Sequence, residues 1–110
     1  MVDIKFNEWA KLDLRVAEIE NVENIEGADR LYKLTISLGA EKRTIVAGLK
    51  KYYSINDLKG KKCIVFCNLA SRTMKGIESQ GMILAAVNND ESKVILISPE
   101  KDIEIGSKVM

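Results

Sequence analysis

Arg72 and Lys75, three residues apart between two apolar runs, are the side chains in this sequence best suited to chemistry, and that chemistry is the binding of phosphate. The runs are Cys63 to Leu69 and Met82 to Val87, and the polar connection between them reaches no acidic residue until Glu78. Gly76 and Gly81 punctuate it. Glycine admits positive φ or a close approach to a ligand, and two unopposed cations give a loop a positive potential. The pattern is a strand, a basic loop and a strand. The same residues also describe an ordinary exposed turn.

Charge along the chain sharpens the choice. The net charge is only +1, yet residues 42–75 carry nine basic residues against one acidic, a net +8. Residues 1–41 hold five basic and nine acidic, a net −4, and residues 76–110 hold three and six, a net −3. A basic third within a nearly neutral chain points to a local footprint for a polyanion. The competing reading is a solvated face whose lysines meet acidic neighbours on folding.

Other chemistries find little support. There is no His, so the usual proton shuttle is missing, and Asp13, Asp29 and Asp57 read as turn or cap residues. The expectation is a chain that is not an enzyme. Cys63 and Cys67, four apart in a strand-like run, would hold their Cα atoms roughly 13 Å apart, too far for a disulfide. They read as small buried apolar residues, and no metal site or cofactor is expected. Hydrophobic residues at 46% and charged residues at 30% suit a globular protein, and 110 residues suit a single domain, 1–110. No apolar run approaches the length of a membrane span, and Met1 to Phe6 lacks a secretory apolar core, so a cytoplasmic protein is expected.

The elements that must position the basic loop follow in order. Phe6, Trp9 and Ala10 suit a helical turn that packs its aromatic face on the body, with Trp9 in the core. From Leu12 the apolar residues alternate through Leu14 and Val16, then shift phase to Ala17 and Ile19, which predicts a bulge near Val16–Ala17 in a long bent strand. Tyr32, Leu34, Ile36 and Leu38 share one face of a second strand, and Arg43 to Leu49 returns beside it across the turn Gly39-Ala40-Glu41. Ser54 with Asp57 resembles a capping box for a short helix, Ile55 to Lys59, ended by Gly60. Ile64 to Leu69 and Met82 to Val87 are apolar nearly throughout, which predicts strands covered on both faces. Val94 to Ile97 is the last clear strand, and Pro99 to Met110 a tail with apolar residues.

The order β-β-β-α-β-β fits an all-β, five-stranded Greek-key barrel of the OB type, with a short helix between strands three and four and packed terminal extensions. OB folds meet nucleic acid on strands two and three and in two loops, here Glu23 to Arg30 and Ala70 to Glu78.

Six ordered blocks carry a resemblance: Asp13-Leu14-Arg15-Val16, Ala28-Asp29-Arg30-Leu31-Tyr32, Arg43-Thr44-Ile45-Val46-Ala47-Gly48-Leu49, Asn68-Leu69, Met74-Lys75-Gly76 and Glu78-Ser79-Gln80-Gly81-Met82. From about Phe6 to Val109 the chain resembles the tRNA-binding domain appended to methionyl-tRNA synthetases. That domain also occurs as a synthetase beta subunit, a free-standing tRNA-binding protein, a cytokine domain and a bacterial secretion chaperone. It departs from the family pattern at Ala17, where Gly is common, at Ile25-Glu26-Gly27 in place of a His-Pro turn, and at Ala70-Ser71, which lacks a Pro.

The resemblance implies a non-catalytic OB barrel, a homodimer when free-standing, that binds tRNA by shape and backbone and can serve a methionyl-tRNA synthetase. On this reading Arg72, Lys75, Lys42 and Lys33 contact phosphates, while Asn68, Ser79 and Met82 hold the loop and strand or touch a sugar–base edge. Met82 is also expected to be core, at about 2 to 5 kcal/mol for its truncation. The alternative within the family is a chaperone that binds exported polypeptides.

Overall fold

A computed structural model describes all 110 residues. The long strand β1 (Leu14–Asn24) organises it. Its first half pairs antiparallel with β4 (Lys62–Phe66) and its second half with β2 (Tyr32–Ser37). Adding β3 (Lys42–Ala47) beside β2 and β7 (Met82–Ile83) beside β4 gives the sheet β3-β2-β1-β4-β7, with β10 (Lys108–Val109) on the start of β1. This is the OB barrel expected from the element order. Its inward-facing residues, Tyr32, Leu34, Ile36 and Leu38 among them, form the main core with Ala17, Ile19, Ile45, Cys63 and Val65. The helix α2 (Ile55–Leu58) lies between the third and fourth strands, capped by Ser54 Oγ accepting from the Asp57 amide at 3.1 Å.

Several expectations are corrected. The phase shift at Val16–Ala17 is not a bulge. Val16 packs with Leu14 and Ile64 on one side of β1 while Ala17 and Ile19 enter the main core on the other. Neighbouring strand residues face opposite ways, so two apolar residues in a row report two covered faces. The true irregularity falls between Ile19 and Asn21, where one extra residue turns Val22 inward.

Met82 to Val87 is not one strand covered on both faces. It breaks at Leu84 into β7 and β8 (Ala85–Val87), which pairs with β9 (Val94–Leu96), and Val87 is 54% exposed. Met82 is 44% exposed and is therefore not core. The helix α1 (Phe6–Trp9) buries none of its residues either: Phe6 is 79% and Trp9 40% exposed. The α1 side chains project an aromatic face outward rather than packing it on the body. No helix is long and apolar enough to cross a membrane.

The connection from Ala70 to Glu78 is also more ordered than a loop. It forms a hairpin of its own, β5 (Arg72–Met74) with β6 (Ile77–Ser79), and this hairpin carries the candidate site.

Candidate nucleic-acid interface

Met74 pairs with Ile77, so Lys75 and Gly76 alone make the turn. Their φ angles are 52° and 78°, the left-handed pair that two-residue hairpin turns of type I′ require. Glycine accepts that geometry freely, whereas lysine takes it at a steric cost, and Asn would serve better. A strained residue invites a functional reading, and here the side chain held at the tip is a cation.

Beneath the tip, Met74 and Ile77 pack with Leu31 on the buried cluster Ile25, Ala28 and Val46. The cluster joins the hairpin to the connection between β1 and β2. Lys75 therefore lies with Arg30 around an open hollow of about 390 Å³ whose other walls are Gly27, Ala28, Asp29 and Leu31. The two loops expected to bind nucleic acid thus meet, and Arg30 joins the site. Its place at the end of the expected binding loop Glu23 to Arg30 hinted at this, but no local pattern reveals which loops will touch.

The barrel closes around this hairpin by a few side-chain and backbone hydrogen bonds rather than by a ladder. The Thr44 carbonyl accepts from the Gln80 amide at 2.8 Å, and Gln80 Oε1 accepts from the Thr44 amide at 3.0 Å. Ser79 Oγ accepts from the Val46 amide at 3.0 Å and donates to the Gly81 carbonyl at 3.3 Å. These contacts occupy the edge of β3 as a neighbouring strand would. Gly81 then passes so close to β4 that a Cβ there would lie 2.7 Å from the Phe66 carbonyl oxygen, at φ +125°. Only glycine fits.

Past Val46 this closure stops. A groove of about 280 Å³ opens there, with Leu31, Val46, Gly48, Leu49, Met74 and Met82 among its lining residues. Arg72 shares the barrel-facing side of the hairpin with Met74 and reaches the groove, where Nη2 donates to Met74 Sδ at 3.9 Å.

The sequence-predicted site residues therefore separate. Arg72 and Met82 meet at the groove, Ser79 is buried beside it, and Lys75 stands at the hairpin tip. Lys33, on β2 in register with Val46, and Lys42, at the start of β3, share the outer face of the sheet. Lys42 is bonded to Glu20 at 3.0 Å. Asn68 is far from these: its Oδ1 accepts from the Asp13 amide and its Nδ2 donates to the Lys11 carbonyl, each at 2.7 Å. Both faces of that amide are committed to holding the start of β1.

Folding balances part of the basic third. Lys42 meets Glu20, Arg43 meets Glu41 at 3.2 Å, and Lys62 meets Asp102 at 2.6 Å. The Lys62 ammonium holds the Asp102 carboxyl below its usual range, as Arg15 does for Asp13. Lys50, Lys51, Lys59, Lys61, Arg72 and Lys75 make no ion pair, so most of the positive charge stays available. The two cysteines are buried, and desolvation pushes the Cys63 thiol up to about 12.

Comparisons with known proteins agree with this geometry. A methionine–tRNA ligase from Caldanaerobacter subterraneus is 50% identical over 106 residues, covering 96% of this chain. The chain spans only 16% of that relative's length. Among solved structures, a MetRS-related protein from Pyrococcus horikoshii superposes with a TM-score of 0.94 at 34% identity, covering 100% of both chains. A CsaA chaperone protein from Picrophilus torridus gives 0.87 at 28% identity, covering 98% of this chain and all of the other. The model of the family described as "Putative tRNA binding domain" matches residues 14–108. With the OB barrel, the cationic hairpin and this match in place, the chain belongs to the tRNA-binding domain family found at high identity in methionyl-tRNA synthetases.

Proposed function

We propose that the protein binds tRNA through the β5–β6 hairpin and its surroundings, without catalysing a reaction, in the cytoplasm. The observation that carries this is a cation held in a strained turn position, Lys75, opposite Arg30 of a second loop. Arg72 and Lys75, with Lys33 and Lys42 on the adjoining sheet face, contact phosphates; Lys42 does so at the expense of its pair with Glu20. Ser79 and Asn68 act by holding β3, β6 and β1, since their polar atoms are already bonded within the protein. Bulk tRNA retained on filters across a salt series tests this. Each phosphate contact contributes roughly 0.7 to 0.9 to the slope of log affinity against log salt, so Arg72→Ala/Lys75→Ala lowers the slope by about twice that. An unchanged affinity and slope would move the binding face elsewhere.

The likeness to methionyl-tRNA ligases supports a partnership with such a synthetase, in which this domain raises the local tRNA concentration. Binding remote from the reacting bond stabilises ground and transition states alike, so the domain lowers KM for tRNA and leaves kcat in place. Adding it to a matched synthetase and finding a change in kcat alone would contradict that role.

A homodimer is supported by exposed apolar surface at the termini. Phe6, Trp9 and Met110 border a hollow of about 180 Å³ whose other walls are Ala10, Leu12, Lys108 and Val109, and Ile97 and Ile103 are 42% and 41% exposed. Clusters of this kind mark association surfaces. The chaperone likeness supports a second reading, capture of unfolded polypeptides. Suppression of aggregation of a denatured protein, with no retention of tRNA, would favour it.

A further inference from the structure

The groove between the end of β3 and β7 has a composition that the phosphate contacts do not explain. Its walls are apolar and include two thioethers, Met74 and Met82, which are polarisable and adapt to flat surfaces. Gly48 lies in this lining, exposed, without a side chain, and its N–H and C=O hydrogen-bond to no protein group. Arg72 is the one charged residue of the lining, and there is no acidic one. At about 280 Å³ the groove is below the usual size of a site for a drug-sized molecule.

Those features describe a compact ligand with a flat apolar face, a hydrogen-bonding edge and an anionic group attached. We propose that the groove holds one unpaired nucleobase of a bound RNA, stacked against Met82 and Met74, its edge on the Gly48 backbone and its phosphate on Arg72. The inference rests on the RNA-binding reading above and adds a base site to it. Bases within an A-form stem cannot enter, because their faces are stacked and their Watson–Crick edges are paired, so the occupant comes from a loop or an extruded position. Stacking accepts any base face, which keeps recognition tolerant of sequence while favouring folded RNA that presents unpaired nucleotides. A side chain of an extended polypeptide is the other occupant an apolar groove could take. The charge favours RNA: Arg72 lies in the groove, and Lys75 and Arg30 line the adjoining hollow, which shares Leu31 with it and has Asp29 as its only acidic wall.

Methionine methyl groups labelled with carbon-13 provide the test, because a stacked base shifts them upfield by its ring current. Titrating the full chain with bulk tRNA is expected to move the Met74 and Met82 methyl signals upfield while Met1, near the amino terminus, stays in place. Met82 is 44% exposed, so Met82→Ser is expected to keep the fold and to weaken tRNA binding about tenfold with the salt slope unchanged. Binding of tRNA with unmoved methyl signals, or Met82→Ser binding as tightly as the parent, overturns the base site and leaves the tRNA reading standing. Failure of the parent protein to bind tRNA at all overturns both. A third arm adds reduced, carboxymethylated lactalbumin: methyl shifts with this polypeptide but not with tRNA assign the groove to polypeptide and overturn the proposal.

Discussion

Lys75 is expected to separate stability from tRNA binding at the scale of one residue. Asn relaxes more easily than Lys into the left-handed first position of a type I′ turn, so Lys75→Asn is expected to leave the protein as stable or raise it by about 0.5 to 1 kcal/mol. The same change is expected to weaken tRNA binding and to lower the salt slope by roughly 0.7 to 0.9. Urea denaturation and filter binding on the same preparation check both halves. If lysine is there only to make the turn, both stability and binding will survive the substitution.

Cys63 supplies a second test of this size. Burial raises its thiol from 9.0 to about 12, so the folded chain keeps a proton that the unfolded chain loses between those values. Proton release on unfolding means that stability from this group is complete below pH 9 and falls as pH rises through the window. The urea midpoint is expected to drop with rising pH there, and less steeply in Cys63→Val.

The hairpin β5–β6 shows how an element is held where the barrel itself offers no strand partner. Ser79 and Gln80 bond the β3 edge by side chain and backbone, and Gly81 lets the chain cross beside Phe66. Gly81→Ala meets both a left-handed φ and a 2.7 Å contact with backbone, so it is expected to destabilise the fold. The strain alone is about 1 to 3 kcal/mol. Asn68→Ala removes two hydrogen bonds at the start of β1, and is expected to cost about 1 to 3 kcal/mol without altering the salt slope of tRNA binding. Denaturation midpoints measure both, and a stable Gly81→Ala would show that β4 can yield.

For the whole molecule, the apolar termini decide the association test. The tail is unsuited to deletion, because β10 pairs with β1, the Gly106 amide donates to the Val16 carbonyl at 2.7 Å, and Asp102 pairs with Lys62. Removing residues 100–110 would damage the barrel along with any interface. Phe6 and Trp9 are exposed, so Phe6→Ser/Trp9→Ala leaves the folded chain intact. It is expected to halve the mass seen by light scattering at micromolar concentration. A parent protein that is already monomeric there would end the dimer proposal.

Strands β2 and β3, the capped helix α2 and the basic character of the Ala70–Glu78 connection were legible in the sequence, but the hairpin β5–β6 that this connection forms was not. Alternation of apolar residues and a Ser54 cap are local matters that a few neighbouring residues settle by themselves. The covering of faces was not legible. Val16 beside Ala17 meant two packed sides rather than a bulge, while the equally apolar Met82, Val87 and Trp9 remained exposed. An apolar residue favours burial wherever it stands, but only the arrival of another element can provide it. The site divides in the same way. Arg72 and Lys75 announced themselves by charge and spacing, whereas Arg30 beside Lys75, and Gly48 beside Met82, were brought together by the closure of the barrel. Contacts between residues distant in the chain depend on that closure, and no spacing along the sequence contains it.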